Sequence, residues 1–220
     1  MPAMPTREST PSRTPARRGE GERLRQEILD AAIALIADRG DEAVSMRAIA
    51  RAVGVTPPAV YLHFADKREL MLAVLEHVFA DLGRALEAAD EGERHERVRA
   101  LVRAYVSWGI AHPGRYKIAY EGAIARDLPP DVERPLGRPH LQRLGAAVAA
   151  IGAPDTMRTT TRLWACAHGV VSLRLNKPHA PLADPIEDAM ALTDAILANR
   201  TEPASSARRV GLSSAKRLIK

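Results

Sequence analysis

Almost nothing in this chain has the pattern of a β-strand, and this constrains its fold more than any other feature. No stretch sustains a period-two alternation of apolar and polar residues, and no Asn-Gly pair offers a tight hairpin turn. Alanine, the strongest helix former, occurs 39 times among the 220 residues. The sequence therefore predicts an all-α fold.

Helix start and stop signals divide the chain into about nine helices. Ser45, Asp66 and Asp155 are typical N-terminal caps, and Gly40 and Gly54 are typical C-terminal stops. Apolar residues recur between these signals at helical spacing. The predicted helices cover residues 22–39, 46–53, 56–63, 66–88, 95–111, 113–126, 137–151, 155–175 and 184–199.

Both ends of the chain lack this periodicity. Residues 1–21 carry prolines among Ser, Thr and Arg, and residues 201–220 have only scattered apolar side chains. Such segments cannot bury enough apolar surface to fold, so we expect a disordered basic arm and a disordered basic tail. The helical body between them is expected to form two domains, residues 22–68 and residues 69–200.

The composition and the absence of long apolar runs exclude several classes of protein. Hydrophobic residues make up 46% and charged residues 27%, as in an ordinary soluble globular chain. No apolar run approaches the roughly 18 residues that cross a bilayer, and the first 25 residues lack the apolar core of a secretory signal. The single cysteine, Cys166, cannot form an internal disulfide, so a cytoplasmic location is expected.

The net charge of +5 suggests a nucleic-acid partner, but its distribution weakens that argument. Residues 1–70 carry 11 Lys and Arg against 10 Asp and Glu, and residues 71–200 are balanced at 16 each. Residues 201–220 carry five basic residues and one acidic residue. Most of the excess therefore lies in the tail, and net charge alone does not establish DNA binding.

Residues 45–64 read SMRAIARAVGVTPPAVYLHF, which is a helix-turn-helix pattern. Gly54 suits the positive φ with which the first helix must end. Val60, Leu62 and Phe64 are expected to be buried, which leaves Tyr61 facing outward. The second helix is short enough to lie in a major groove with its first turn against base edges.

The same region resembles the N-terminal domain of the TetR family of bacterial transcriptional regulators. The resemblance rests on ILDAAIALIADRG and VSMRAIARAVGVTPPAVYLHFADKREL. The family's YxHFxxK signature stands here as Tyr61, His63, Phe64 and Lys67. It implies a nine-helix fold with an N-terminal DNA-binding domain (residues 22–68) and a helical effector-binding and dimerisation domain (residues 69–200).

Carried onto this chain, the resemblance implies contacts with double-stranded DNA by nine residues: Ser45, Arg47, Thr56, Pro57, Pro58, Ala59, Tyr61, His63 and Lys67. The Pro57-Pro58 pair leaves few polar side chains for base hydrogen bonds, so contacts with thymine methyl groups and DNA shape would carry more of the specificity. Three arginines of the arm and Arg23 just after it are placed to reach an adjacent minor groove, with solvated disorder as the alternative: Arg13, Arg17, Arg18 and Arg23.

In TetR-like proteins the fifth to eighth helices surround a pocket for a small effector. The resemblance therefore implies an effector site of seven residues: Tyr105, Trp108, His112, Tyr116, Tyr120, Trp164 and His168. Ordinary core packing is the alternative for each of them. Trp164, His168 and Gly169 also resemble the WHG variant of the family's C-terminal domain.

The eighth helix is apolar nearly all round, so more than one of its sides must be covered. The family pairs its last two helices with those of a second subunit. The resemblance therefore implies a dimer interface formed by Val170, Val171, Leu173, Arg174, Met190, Thr193 and Leu197. An intrachain core is the alternative.

Other chemistry has little support in the sequence. The seven histidines form no HxxxH or HxxE pair, and no phosphate-binding or nucleophile motif occurs, so we expect no metal, no cofactor and no enzyme. Cys166 is expected to be buried and inert, with a redox-active thiol as the alternative. The chain is thus predicted to be a homodimeric repressor that a small effector releases from a palindromic operator. The alternatives are an all-helical enzyme or metal or ligand carrier, and a TetR-like activator without an effector.

Overall fold

The computed structural model describes residues 19–122, 130–177, 179 and 184–199. Residues 1–18 of the predicted arm, with Arg13, Arg17 and Arg18, and the whole predicted tail lie outside these residues. Every regular element in the described part of the chain is helical, which confirms the all-α prediction.

Nine α-helices and one short 3₁₀ helix, Asp41–Ala43, make up the described part. The α-helices are α1 Glu20–Arg39, α2 Met46–Val53, α3 Pro57–Tyr61, α4 Lys67–Ala88, α5 Arg94–Ala111, α6 Pro113–Tyr120, α7 Pro130–Ala150, α8 Thr156–Asn176 and α9 Pro185–Ala198.

The predicted capping residues lie at the ends of these helices. The Ser45 hydroxyl accepts a hydrogen bond from the Ala48 amide at 3.1 Å, and the Asp66 carboxylate accepts one from the Glu69 amide at 2.8 Å. The Glu69 carboxylate accepts in turn from the Ala65 amide, so the start of α4 is fixed from both sides. Gly54 ends α2 in the left-handed conformation with φ 77°, where a side chain would be strained.

Two predicted boundaries are wrong. Helix α6 ends at Tyr120, where the amides of Glu121 and Gly122 both donate to the Lys117 carbonyl, six residues before the predicted end. Helix α7 begins at Pro130, seven residues before the predicted start, and continues through Pro135. Pro135 and Pro139, the sixth and tenth residues of α7, each remove one backbone hydrogen bond, and the packing of α7 against α4, α5 and α8 offsets part of that loss.

The first three helices pack around the start of α4. Ile28, Ile49, Val60 and Phe64 are buried there together with Leu70 of α4. Helix α4 then continues into the second half of the molecule, where its residues Val74, Val78 and Leu82 are also buried. The predicted domain boundary at residue 68 thus falls in the first turn of a helix that belongs to both halves.

The second half is a layered bundle in which α9 packs on α5 and α8, and α7 covers α5 and α8 from another side. Helix α6 packs on α1, where a Cβ on Gly114 would lie 2.6 Å from the Cβ of Ala37. Only glycine permits this approach, so α1 is held closely against the bundle. None of the described helices is both long and apolar enough to span a membrane.

Candidate nucleic-acid interface and internal cavity

Helices α2 and α3 and the turn between them present one exposed surface. Thr56, Pro58 and Tyr61 of the α3 segment are exposed, and Pro57, Ala59 and His63 are half-buried. Tyr61 keeps 52% of its surface exposed, as expected for an outward-facing aromatic residue. The buried side of α3 is held by Val60, which is fully buried against the core. The short helix therefore shows its first turn and Tyr61 to solvent.

Leu62 does not lie in the core, contrary to the prediction. It is 75% exposed, whereas Val60 and Phe64 are buried. Val60 and Phe64 are four residues apart, which is one helical turn, and the Phe64 amide donates to the Val60 carbonyl. The chain thus keeps helical rather than alternating spacing here, and Leu62 faces away from the core next to Tyr61.

Exposed cations flank this surface. Arg47 and Arg51 lie one turn apart on α2, and Arg68 lies at the start of α4. None of the three forms an ion pair with another described residue, so their guanidinium groups are available to phosphate oxygens. Arg51 is absent from the predicted contacts, although its spacing of four residues from Arg47 could have indicated it.

Two further residues of the predicted DNA contacts, Ser45 and Lys67, already have hydrogen-bond partners within the chain. Ser45 is exposed, but its hydroxyl oxygen caps α2, which leaves its hydroxyl proton for a phosphate. The Lys67 ammonium donates to the Asp41 carbonyl at 3.1 Å and so ties the start of α4 to the 3₁₀ turn. Two of the three ammonium protons of Lys67 remain for other acceptors.

A cavity of about 700 Å³ lies in the second half of the molecule, between α4, α5, α6, α7 and α8. Four of the predicted effector residues line it: Tyr105, Tyr120, Trp164 and His168. Aliphatic side chains complete most of the wall: Leu86, Leu101, Val102, Leu136, Leu141, Leu144 and Leu163. The cavity has the size and the apolar lining of a small-molecule site.

Three predicted effector residues lie away from this wall. Trp108 is buried, and its indole N–H donates to the Asp81 carboxylate at 3.0 Å. Tyr116 is fully buried behind His168, and His112 is exposed at the junction of α5 and α6. Aromatic residues that cluster in the sequence can lie either in the cavity wall or in the core, because successive helix positions point in different directions. Their clustering therefore does not predict which of them line the cavity.

His168 is the centre of a hydrogen-bonded aromatic cluster. The Tyr116 hydroxyl lies 2.8 Å from His168 Nδ1, the Tyr105 hydroxyl lies 3.3 Å from it, and the ring of Trp164 packs beside it. Burial lowers the pKa of His168 and raises the pKa of Tyr120 to about 12. These groups are therefore uncharged at neutral pH, and this end of the cavity offers hydrogen bonds rather than charge.

Helix α7 supplies cavity residues that the sequence did not indicate. Arg138 and His140 both line the cavity, and the His140 ring stacks on Phe79 of α4 with centroids 5.8 Å apart. Burial lowers the pKa of His140, and the positive charge of the nearby Arg143 lowers it further. Neither residue belongs to the aromatic cluster of α5, α6 and α8 from which the effector site was predicted, so no signal in the sequence pointed to them.

The predicted dimer residues divide into two groups. Val170, Val171, Met190, Thr193 and Leu197 are buried within the chain itself, which favours the intrachain-core alternative for these five. They are covered because α8 and α9 pack on each other and on α5. Leu173 and Arg174 are exposed. The exposed face of the pair also carries Ala165 of α8 and Leu192 and Ala195 of α9.

Cys166 is half-buried, and burial raises the pKa of its thiol, which disfavours the reactive thiolate. Within the described residues, no group of three or more His, Cys, Asp or Glu side chains is placed to hold a metal ion.

Two family models match the chain. One, described as bacterial regulatory proteins of the tetR family, covers residues 28–74. The other, described as a tetracyclin repressor-like C-terminal domain, covers residues 98–198. The first match contains the surface formed by α2 and α3, and the second contains most of the cavity wall.

Individual proteins agree with these matches. The HTH-type transcriptional regulator BetI of Brucella canis is 39% identical over 80 residues, which is 36% of this chain and 40% of BetI. The chain therefore matches well under half of that relative's length. A TetR-like regulator from Rhodococcus sp. RHA1 superposes with a TM-score of 0.64 at 19% identity, over 79% of this chain and 95% of the other. The regulatory protein SCO4313 superposes with a TM-score of 0.71 at 23% identity. The superposition covers 84% of this chain and 100% of SCO4313.

Proposed function

Since the chain belongs to the TetR family of bacterial transcriptional regulators, we propose that it is a homodimeric repressor which a small molecule releases from a palindromic operator. The family consists of DNA-binding regulators rather than enzymes. The observation that carries the proposal is α4, which begins beside the exposed α2–α3 surface and then lines the cavity with Phe79 and Leu86. A regulator of this kind would act in the cytoplasm, where the DNA is.

The exposed α2–α3 surface is the proposed DNA-binding surface. Thr56 and Pro58 would meet the major groove, Tyr61 would contact the DNA backbone, and Arg47 and Arg68 would hold phosphates on either side. The two prolines carry no side-chain hydrogen-bond donors, so apolar contacts and DNA shape would supply much of the specificity. Leu62, exposed next to Tyr61, adds apolar surface at the same edge.

Release by an effector requires that the ligand bind one conformation better than the other. A molecule in the cavity would touch Phe79 and Leu86 on α4, and Lys67 at the start of α4 is bonded to the 3₁₀ turn before α2. A shift of α4 would therefore tilt α2 and α3 as one unit. In a dimer this tilt would change the spacing of the two recognition helices and their fit to the half-sites.

We expect Tyr61→Ala and Lys67→Ala to weaken operator binding several-fold across different sequences, because both residues would contact the DNA backbone. Lys67→Ala should also reduce the slope of log K against log salt by about one, since one cation is lost. Gel shifts at several salt concentrations measure both effects. Wild-type affinity in both variants would contradict the proposed docking.

The proposed dimer uses the exposed face of α8 and α9, which carries Ala165, Leu173, Leu192 and Ala195. We expect Leu173→Glu to shift sedimentation toward the monomer and to lower operator affinity at least tenfold, because a charge would be buried at the interface. Met157→Glu is the matched control: Met157 is 77% exposed and lies near the other end of α8 on a different face. Equal behaviour of the two variants would exclude this interface.

A further inference from the structure

We infer that the cavity selects organic acids, that is, molecules with a large apolar or aromatic body and one carboxylate, over cations. This inference rests on the proposed role of the cavity as the effector site. Four observations support it: the character of the wall, its charge, an unpaired guanidinium group and a buried nitrogen without a partner.

The wall is suited to a flat apolar body. Phe79, Tyr105, Tyr120 and Trp164 contribute aromatic rings from four different helices, and leucines fill most of the space between them. Aromatic rings in such a wall favour stacked or edge-on contact with another ring. A volume of about 700 Å³ accommodates a body of two or more fused rings.

The described part of the wall offers a cation no acidic residue. No Asp or Glu occurs among the described residues that line the cavity. Three carboxylates on or beside the surrounding helices already have partners: Asp81 accepts from Trp108 and Arg115, Asp90 from Arg97 and Arg143, and Glu121 from Ser172 and Asn176. A cation entering the cavity would lose its hydration and gain contacts with the aromatic rings, but it would gain no counter-charge from the described wall.

Arg138 supplies the opposite charge. Its side chain lines the cavity yet is exposed, and it forms no ion pair with a carboxylate of the described chain, in which the side chains of residues 123–135 are not included. A guanidinium group binds a carboxylate through two parallel hydrogen bonds, which an alcohol cannot reproduce. Arg138 is therefore the residue that would distinguish an acid from a neutral molecule with the same body.

His140 lies two residues further along α7, in the same wall. Its Nδ1 atom is shielded from solvent and has no hydrogen-bond partner among the described residues. A buried polar atom without a partner costs free energy. An acid that binds together with one proton from solvent would place that proton between its carboxylate and Nδ1 and so remove this cost. At the other end of the cavity His168 Nδ1 is already bonded to Tyr116, so the acid group is directed to α7.

Three probes with one body and different head groups test the inference on the full chain: pyrenebutyrate, pyrenebutanol and pyrenebutylammonium. Pyrene accepts energy from tryptophan, and Trp164 lies in the wall, so binding quenches its emission. We expect the acid to bind most tightly, the alcohol more weakly, and the ammonium compound at least tenfold more weakly than the acid.

Arg138→Gln should lower the affinity for pyrenebutyrate about tenfold and leave pyrenebutanol within twofold, since only the acid uses the charge. Arg103→Gln is the matched control, because Arg103 is exposed on α5 and does not line the cavity. Equal loss for acid and alcohol, a cation that binds as tightly as the acid, or no quenching by any probe would each overturn the inference. Operator binding without ligand is measured separately, so failure of the DNA-binding proposal is distinguished from failure of the acid preference.

Discussion

Replacing Arg47 with glutamate is expected to lower operator affinity by at least about 100-fold while leaving the melting temperature within about one degree. Arg47 is exposed on α2 and forms no ion pair with a described residue, so its removal costs the fold little. At the DNA the same change removes one phosphate contact and places a negative charge against the backbone. Together these effects correspond to roughly 3 kcal/mol.

Arg103→Glu provides the control for this experiment. It makes the same change in net charge at an exposed site on α5, far along the chain from the helix-turn-helix. If both variants lost the same affinity, the effect would belong to overall charge and long-range steering rather than to a contact at Arg47. Fluorescence anisotropy at two salt concentrations measures both affinities.

Asp81→Ala is expected to lower the free energy of unfolding by about 2–3 kcal/mol. Asp81 lies on α4 and accepts hydrogen bonds from the Trp108 indole on α5 and the Arg115 guanidinium on α6, so one carboxylate joins three helices. Trp108 is buried, and without Asp81 its N–H would have no acceptor. Urea unfolding followed by circular dichroism measures the loss.

The charge of Asp81 predicts when this stabilisation is present. Burial raises the pKa of Asp81, but the hydrogen bonds from Trp108 and Arg115 and the charges of Arg115 and Arg84 lower it more, so it lies below its usual value of 3.8. A carboxyl group with a lowered pKa stabilises the fold above its usual pKa, and the effect disappears as pH falls through the lowered value. The difference between wild type and Asp81→Ala should therefore be constant from pH 5 to 7 and shrink below about pH 4.

Asp194→Ala is the matched control for Asp81→Ala. Asp194 pairs with Arg99, and its carboxylate is 55% exposed. Exposed pairs contribute less than about 1 kcal/mol, so this variant should stay close to wild type. Equal destabilisation by the two substitutions would show that Asp81 is an ordinary surface ion pair and not the connection between α4, α5 and α6.

Local signals made the helix-turn-helix region predictable from the sequence. Ser45, Gly54 and Asp66 act through hydrogen bonds and dihedral angles within a few residues of themselves, so their roles do not depend on the rest of the fold. The one error there, Leu62, arose because strand-like alternation was assumed for residues that keep a helical turn.

The cavity and the proposed dimer face depend on how the helices pack against one another. Sequence patterns predict this packing less well than they predict helix caps and turns. Helix α8 is apolar on several sides, and no pattern shows which side the same chain covers; Val170 and Val171 proved to be covered, whereas Leu173 is exposed. Trp108 and Tyr116 are aromatic residues of the same cluster as Tyr105, yet they pack behind the cavity wall. Arg138 and His140 reach the cavity only because α7 crosses it at this point.

Selection of fragments from the genomic DNA of the bacterium that encodes this chain tests the central claim most directly. The purified full chain and its Arg47→Glu variant are incubated with the fragments, and the retained DNA is sequenced. We predict that the wild type enriches a few fragments sharing a short inverted repeat, with half-sites spaced for two recognition helices, and that the variant enriches none. Retention of the same fragments by both proteins, or of fragments without a common inverted repeat, would contradict the account.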